Sequence, residues 1–318
     1  MILGSVLTPL DEHNLQLAAQ CGVEGVVTRY PGPTLQDVLD VKKFVNDRGL
    51  QLLAIEGFLP IEKIKTGTDH DDSELTAMKN LVRQMGSAEI PLVCYNFMSG
   101  TDWVRTRTDH RIRGGALTTA FRLEDAQNAV SLNSPHQKIS ETTITADQLW
   151  QNLQRFLEAI IPVAEESGVT LAMHPDDPPL SHFAGKARIM NSVEAFERLV
   201  SLVPSERNAI CFCQGSFATM GVDIPETIRR LGPHIRYVHF RDVEGTAEDF
   251  VETFHDDGPT DMAAAIRALR DVGFCGPIRP DHVPQLTGED GEPGYTMQGR
   301  LFAFGYIRGL LDATLPLP

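Results

Sequence analysis

Residues 169–179 read VTLAMHPDDPP, and the fold turns on this stretch. Val169–Met173 is a short apolar run of strand length, too short for a buried helix. It follows Ala146–Ser167, whose apolar residues recur at helical spacing, and Gly168 between the two fits a helix stop. His174 closes the run, and Asp176, Asp177, Pro178 and Pro179 carry the chain away from it. The unit is therefore helix, glycine, strand, then a chemically rich turn.

The same unit recurs in both directions. Strands are predicted at Ile2–Leu7, Gly25–Thr28, Gln51–Glu56, Pro91–Asn96, Ala209–Phe212, Arg236–Phe240 and Pro277–Arg279. Helices are predicted at Thr34–Arg48, Ser73–Met85, Val193–Leu202, Ile224–Leu231 and Asp261–Val272. Thr34, Thr145 and Thr260 are suited to cap helix starts, and Gly49 and Gly273 join Gly168 as stops. Alternation of this kind predicts an α/β protein with a closed parallel (β/α)8 TIM barrel. A doubly wound open sheet competes with it, because periodicity does not say whether a sheet closes. No shift in composition marks a linker, so residues 1–318 read as a single barrel domain. The polar stretch Phe97–Thr145 breaks the rhythm and shows no convincing strand. It is expected to be a long loop after the fourth strand that covers the catalytic end.

Composition narrows the partners. The net charge of −15 argues against nucleic acid, which proteins bind by neutralising phosphates with Lys and Arg. It does not exclude a small anion, since local arginines with a divalent cation reverse the field inside one pocket. No apolar run approaches the roughly 18 residues of a membrane span, so no membrane partner is expected. The opening MILGSVLTPL lacks the basic start of a secretory signal, which makes the cytosol the expected location. Five dispersed cysteines disfavour a disulfide framework and leave any special cysteine to be a ligand or nucleophile.

The residues that close the late strands point to chemistry. LAMHPDDPP delivers His174, ICFCQGS delivers Cys213, YVHFRDV delivers His239 with Arg241 just beyond, and IRPDH delivers Asp281 and His282. In a barrel such ends converge on one mouth. Two imidazoles, a thiolate and a carboxylate form a mixed set suited to Mn, Fe, Co or Zn rather than to Mg or Ca. Each element alone has a plainer explanation. A histidine closing a strand is usually a hydrogen-bonded structural residue, and Cys213, like Cys211, is by default a small buried apolar side chain. Four such residues at four successive strand ends outweigh coincidence.

VCYNFMSGTDWVRTRT, LAMHPDDPP, ICFCQGS, YVHFRDV, GPIRPDH and PGYTMQGRLFAFGYIRGL, in this order from Ile90 to Ala313, resemble the mannonate dehydratase family. The resemblance implies a xylose-isomerase-like barrel that binds Mn2+ or Fe2+ and converts D-mannonate to 2-keto-3-deoxy-D-gluconate. It places metal ligands on His174, Cys213, His239 and Asp281, and an acid–base pair on His282 and Tyr295. It also implies a homo-oligomer, a dimer or larger. The first third departs from the family's pattern. MILGSVLTP stands where an Arg-Trp-Tyr/Phe-Gly opening is usual, and TRYPGPT follows the second strand in place of a His-Pro-Gly-Trp region. Those strands shape the far end of the substrate, so a related aldonate stands beside D-mannonate.

The substrate-binding candidates are Asn96 at the end of the fourth strand, Asp176, and the loop arginines Arg105, Arg107 and Arg241, whose planar forks suit carboxylates and hydroxyls. For each arginine a solvated loop face is an equal alternative. Asp176 and Asp177 could instead orient ligands or cap the next element. His255 reaches either the pocket or the surface, and His13, His70, His110, His136, His182 and His234 read as surface residues. Phe302, Phe304 and Tyr306 read as the core face of the last helix. The rival activities are a sugar isomerase or epimerase, which would use glutamates at strand ends where only Glu56 is evident, a non-catalytic sugar-acid binder, and, least favoured, a DNA-repair nuclease.

Overall fold

The structure is a computed structural model and describes residues 1–132 and 142–315. Eight parallel strands close on themselves: β1 Ile2–Val6, β2 Gly25–Thr28, β3 Gln51–Glu56, β4 Leu92–Tyr95, β5 Thr170–Met173, β6 Asn208–Cys213, β7 Ile235–Phe240 and β8 Pro277–Pro280. Closure is explicit in the pairing of β1 with both β8, through Ile2 and Pro277, and β2, through Gly4 and Gly25. The open doubly wound sheet is thereby excluded, and each predicted strand lies within one residue of the observed one at either end.

Helices follow the strands around the outside: α1 Glu12–Gln20, α2 Leu35–Asn46, α3 Ser73–Ser87, α4 Ala146–Ser167, α5 Val193–Leu202, α6 Ile224–Leu231, α7 Met262–Asp271 and α8 Met297–Ala313. Local chemistry fixes their ends. Thr34 and Thr145 form capping boxes with Asp37 and Gln148, and Gly168 ends α4 in the left-handed conformation at φ 70°. The cap of α7 is Asp261, which accepts from the Ala264 amide, and not Thr260. Thr260 is drawn away by Asp242, whose carboxylate accepts from both its amide and its hydroxyl. In α4 the residues Leu149, Leu153, Phe156, Leu157, Ile160 and Ala164 form one buried stripe against the barrel. Truncating any of its leucines to alanine is expected to cost about 2–5 kcal/mol.

Alternation along each strand separates two cores. Leu171, Ile210, Phe212, Val238 and Ile278 face the helices. Val27, Ala54, Cys94, Ala172, Cys211 and Tyr237 fill the barrel interior. In α8 Phe304 joins the outer core while Tyr306 is only half-buried. Phe302 leaves that face, and its exposed ring lies edge-on to Phe254 at 5.4 Å.

The covering segment after β4 is more ordered than expected. It contains the strands Val104–Arg105, Arg107–Arg111, Leu117–Arg122 and Val130–Ser131. Two of them join the hairpin Val243–Thr246 and Asp249–Glu252, which follows β7, in a four-stranded antiparallel sheet over the mouth. These strands escape sequence reading because Arg107–Arg111 is all charged or polar and keeps no buried face. No helix among the described residues is long and apolar enough to cross a membrane.

Candidate active site

The parity that sorts side chains within each strand continues one or two residues past its end, and it builds the site. Ala172 points inward, so His174 does too; Cys211 is followed inward by Cys213, Tyr237 by His239, and Arg279 by Asp281. The register aligns Cys213 with His239 and His239 with Arg279 in one row across three strands. One ligand atom from each of His174, Cys213, His239 and Asp281 lies within 4.8 Å of the other three.

The chemistry of this set fits one divalent ion. His174 Nδ1 donates to the Pro175 carbonyl at 2.6 Å, which leaves Nε2 as the nitrogen that faces Cys213 and would give up its proton to an ion. His239 Nε2 sits 3.3 Å from Glu56 Oε2, with Nδ1 on the Asp281 side. Ser216 Oγ donates to Cys213 Sγ at 3.3 Å. Burial alone would raise the Cys213 thiol, but Arg241 and His174 hold it well below its ordinary value. Burial would likewise raise Asp281, and His282, Arg279 and His239 hold it far down. His174 is pushed up to about 9: burial opposes the shift, and the Cys213 thiolate drives it. Thiolate and carboxylate are thus balanced by protons on imidazoles, the charge a divalent ion would replace on binding.

A lattice of buried charge stands behind these four residues. Arg105 donates to both oxygens of Asp177, at 2.8 and 3.0 Å, and to Glu252. Arg241 donates to Glu252 at 2.6 Å and to Asp177 at 2.9 Å, and its Nε lies 2.9 Å from Asp281 Oδ2. Glu252 also receives His282 Nδ1 at 2.9 Å, so the Nε2 edge of His282 is the one turned toward the mouth. The guanidiniums keep Asp177 and Glu252 ionised against their burial, Glu252 falling to about 2. Trp103 lies flat on the His282 ring, with centroids 4.5 Å apart and planes 17° from parallel. Tyr295 meets the same indole edge-on at 5.0 Å and donates toward Asp281 Oδ1 at 3.4 Å. Burial, then the Asp281 carboxylate, pushes the Tyr295 phenol above its ordinary value, while Arg29 and Arg279 pull the other way.

Against this geometry, comparison with known proteins is decisive. The family described as D-mannonate dehydratase (UxuA) matches residues 8–315. The chain belongs to the mannonate dehydratase family. A mannonate dehydratase from Oceanobacillus iheyensis is 35% identical over 86% of this chain and 83% of its own length. One from Streptococcus suis is 34% identical over 94% and 90%. The crystal structure of mannonate dehydratase from Streptococcus suis serotype2 superposes with a TM-score of 0.87 at 32% identity, covering 98% of this chain and 93% of that one. An L-ribulose 3-epimerase structure, at 15% identity and TM-score 0.65, shares the fold alone.

For this mannonate dehydratase family member, the structure sorts the sequence candidates into those at the pocket and those away from it. A cavity of about 370 Å³ is lined by His174, His239, Asp281, His282, Tyr295 and Asn96 among others. Asn96 Oδ1 accepts from Lys65 Nζ at 2.9 Å, and its Nδ2 lies 3.4 Å from Asp102. Arg105 and Arg241 do not line the cavity; they are fully buried in the charge lattice, because three carboxylates claim their donors. Arg107 is also away from it, exposed on the covering sheet beside Asp109. Asp176 is buried, accepts from the Met190 amide at 2.7 Å and is raised to about 6 by burial, so it braces the loop after β5. His255 takes neither expected place. It is buried and lies off the cavity, its ring against the Phe240 backbone. His13, His70, His182 and His234 are exposed, His110 is half-buried, and His136 lies outside the described residues.

Sequence reasoning passed over Arg29, Lys65, Glu252 and Arg279, and gave Glu56 no part in the site. The parity that brings His174, Cys213, His239 and Asp281 together would have found three of these: Arg29 continues Val27, Glu56 continues Ala54, and Arg279 precedes Asp281 on the same face. Glu56 is held ionised against its burial by Arg279 and His239, with Arg279 donating to it at 2.7 Å. Glu252 gives no local signal, since its partner Arg105 is more than a hundred residues away and adjacent in space only through the covering sheet.

Proposed function

We propose that the chain dehydrates a sugar acid, D-mannonate or a related aldonate, to its 2-keto-3-deoxy acid, using a divalent ion, Mn2+ or Fe2+, held by His174, Cys213, His239 and Asp281. One observation carries this reading. Four ligand atoms of mixed chemistry stand within 4.8 Å of one another, and an acid–base pair, His282 and Tyr295, flanks one of them.

The proton beside a carboxylate is only weakly acidic, and hydroxide is a poor leaving group, so the reaction needs charge stabilisation and two proton transfers. When bound, the ion supplies a Lewis acid for the substrate carboxylate and C2 hydroxyl. His282 and Tyr295 carry the protons: one takes the proton from C2, and the other gives one to the C3 hydroxyl as the C3–O bond breaks. The C2=C3 bond forms, water departs, and the enol tautomerises to the ketone. Glu252 fixes His282 through Nδ1, which leaves Nε2 as the proton-handling atom. Trp103 covers the ring and keeps bulk water from it. Asn96 donates through Nδ2 to Asp102 and keeps its second Nδ2 hydrogen for a substrate hydroxyl. Arg105, Arg241 and Asp177 act through others, by orienting Asp281 and Glu252. Five free cysteines, one of them a proposed ligand, favour a reducing cytosol for this chemistry.

An isomerase on this barrel would call on free glutamates, and Glu56 is bound to Arg279, Tyr237 and His239 instead. Turnover of a panel of C5 and C6 aldonates by Mn- or Fe-loaded protein tests the proposal. A 2-keto-3-deoxy product from at least one is expected, and no product from any would overturn it. Separate His282→Asn and Tyr295→Phe variants, followed by C2 proton exchange in D2O, identify the base as the residue whose loss abolishes exchange.

A further inference from the structure

Arg300, in the first turn of α8, is a buried cation outside the charge lattice, and it does not line the cavity. No carboxylate stands within ion-pair distance of it among the described residues, and its Nη2 has no hydrogen-bond partner there. Burial holds its guanidinium below its ordinary value; Tyr295 pulls the other way, and the Arg279 and Arg29 cations add to the shift. A guanidinium removed from water without an acid to match it is costly, and an apolar side chain of similar length would fill the space without that cost. The contacts of Arg300 are directed at one residue and its support. Its Nε donates to the Tyr295 carbonyl at 3.2 Å, and its Nη1 donates to the Val6 carbonyl at the end of β1. Its Cζ lies 4.5 Å from the centroid of the Tyr295 ring.

Tyr295 needs such a support. It sits at the junction of a loop and a helix, where the usual device is missing. Thr296 stands at the N-cap of α8, yet its hydroxyl has no hydrogen-bond partner among the described residues. On the loop side Gly294, at φ 79°, brings the chain close to His282. A Cβ there would stand 3.2 Å from the Trp103 ring and 3.5 Å from the His282 Cβ. On the helix side Arg300 supplies what the cap does not. It ties the Tyr295 main chain to a barrel strand and lays a cation on the ring, an attraction that holds the phenol in place. The hydroxyl is thereby set beside Asp281 and Arg29. We propose that Arg300 is a positioning residue for the proton transfer assigned to Tyr295, fixing the phenol against the barrel wall rather than touching substrate. This deepens the dehydratase reading and rests on it for the reaction, though not for the placement of the ring.

The test uses Arg300→Met and Arg300→Lys beside wild type, with Mn-loaded protein turning over the aldonate that wild type uses best. For fluorine spectra the five tyrosines carry a 3-fluoro label, and diamagnetic zinc replaces manganese to keep the lines sharp. Tyr295→Phe identifies the Tyr295 resonance by its loss. Arg300→Met is expected to lower kcat by about 10- to 100-fold with KM within about threefold, the effect of displacing a catalytic group by about 1 Å. Its Tyr295 resonance should move or broaden while the remaining resonances stay. Its melting temperature should stay within about 3 °C of wild type, because removing the unmatched charge offsets the lost hydrogen bonds. Arg300→Lys keeps the cation but not the planar fork, so it should recover part of kcat and of the resonance position. Should Arg300→Met fail to fold, Arg300→Lys carries the test, with a lowered kcat and a displaced Tyr295 resonance expected. An unchanged kcat in the folded variants, or a loss lying wholly in KM, overturns the proposal. Product from wild type with an unmoved Tyr295 resonance in the variants defeats this inference alone. A displaced resonance with no product from any aldonate in wild type defeats the dehydratase reading and leaves the placement by Arg300 standing.

Discussion

The two halves of the barrel mouth are built on different principles. The β5–β8 half is a closed electrostatic lattice: Asp177, Glu252 and Asp281 are buried and matched by Arg105, Arg241 and Arg279. The β1–β4 half is more open. It offers Arg29 lying against Tyr295, the exposed ring of Phe58, and Asn96 tethered by Lys65. A buried charge that loses its partner is costly, so the late half tolerates little change. Glu56, on β3, ties the early half to His239 and Arg279, so of this half only Arg29, Phe58 and Asn96 stand apart from that lattice.

The sharpest contrast comes from the late half. Asp281→Ala or Cys213→Ala removes a proposed ligand, and turnover should fall on the order of 10³-fold or more as the Lewis acid is lost. Metal content by mass spectrometry should fall with it. Retained metal and rate in both variants would show that the ion, if bound, lies elsewhere. Arg241→Met strips a partner from Asp177, Glu252 and Asp281 at once and should cost about 3–5 kcal/mol in denaturant unfolding. A loss below about 1 kcal/mol would mean that the lattice is not what holds this half together.

His255 sharpens the comparison through pH. Burial holds its imidazole down to about 4, against smaller upward pulls from the Phe240 backbone and nearby carboxylates. The folded value lies below the unfolded one, so the unfolded chain gains the proton first as pH falls. Stability is undiminished above about 6.5 and declines by roughly 3 kcal/mol between there and about pH 4. His255→Phe keeps a ring in the space and should flatten that decline; identical pH profiles would exclude His255 as its source. The smallest effect belongs to Arg107→Ala. Its exposed ion pair with Asp109 should contribute less than about 0.5 kcal/mol, with turnover unchanged within about twofold. A large loss would restore Arg107 as a substrate contact.

The division between the halves also governs what could be read from the sequence. The barrel and the convergence of His174, Cys213, His239 and Asp281 were legible because strand period and strand-end position are local properties. Arg105 and Arg107 show the limit. They are two residues apart in one segment, yet one is sealed among carboxylates and the other points to solvent. Only the pairing of the covering sheet with the Asp249–Glu252 strand decides between them, and that pairing spans more than a hundred residues. Arg29 was within reach of the parity rule, but TRYPGPT carries no motif that singles it out. His255 was misplaced because full burial away from a pocket is the less frequent outcome for that residue type.

The central claim is that one divalent ion is held by the thiolate of Cys213 together with His174, His239 and Asp281. Cobalt(II) substitution tests it most directly, because a thiolate ligand gives a near-ultraviolet sulfur-to-cobalt charge-transfer band. The account predicts that band in the wild-type protein at one equivalent of cobalt and its loss in Cys213→Ser. Absence of the band in wild type, or its survival in Cys213→Ser, would contradict it.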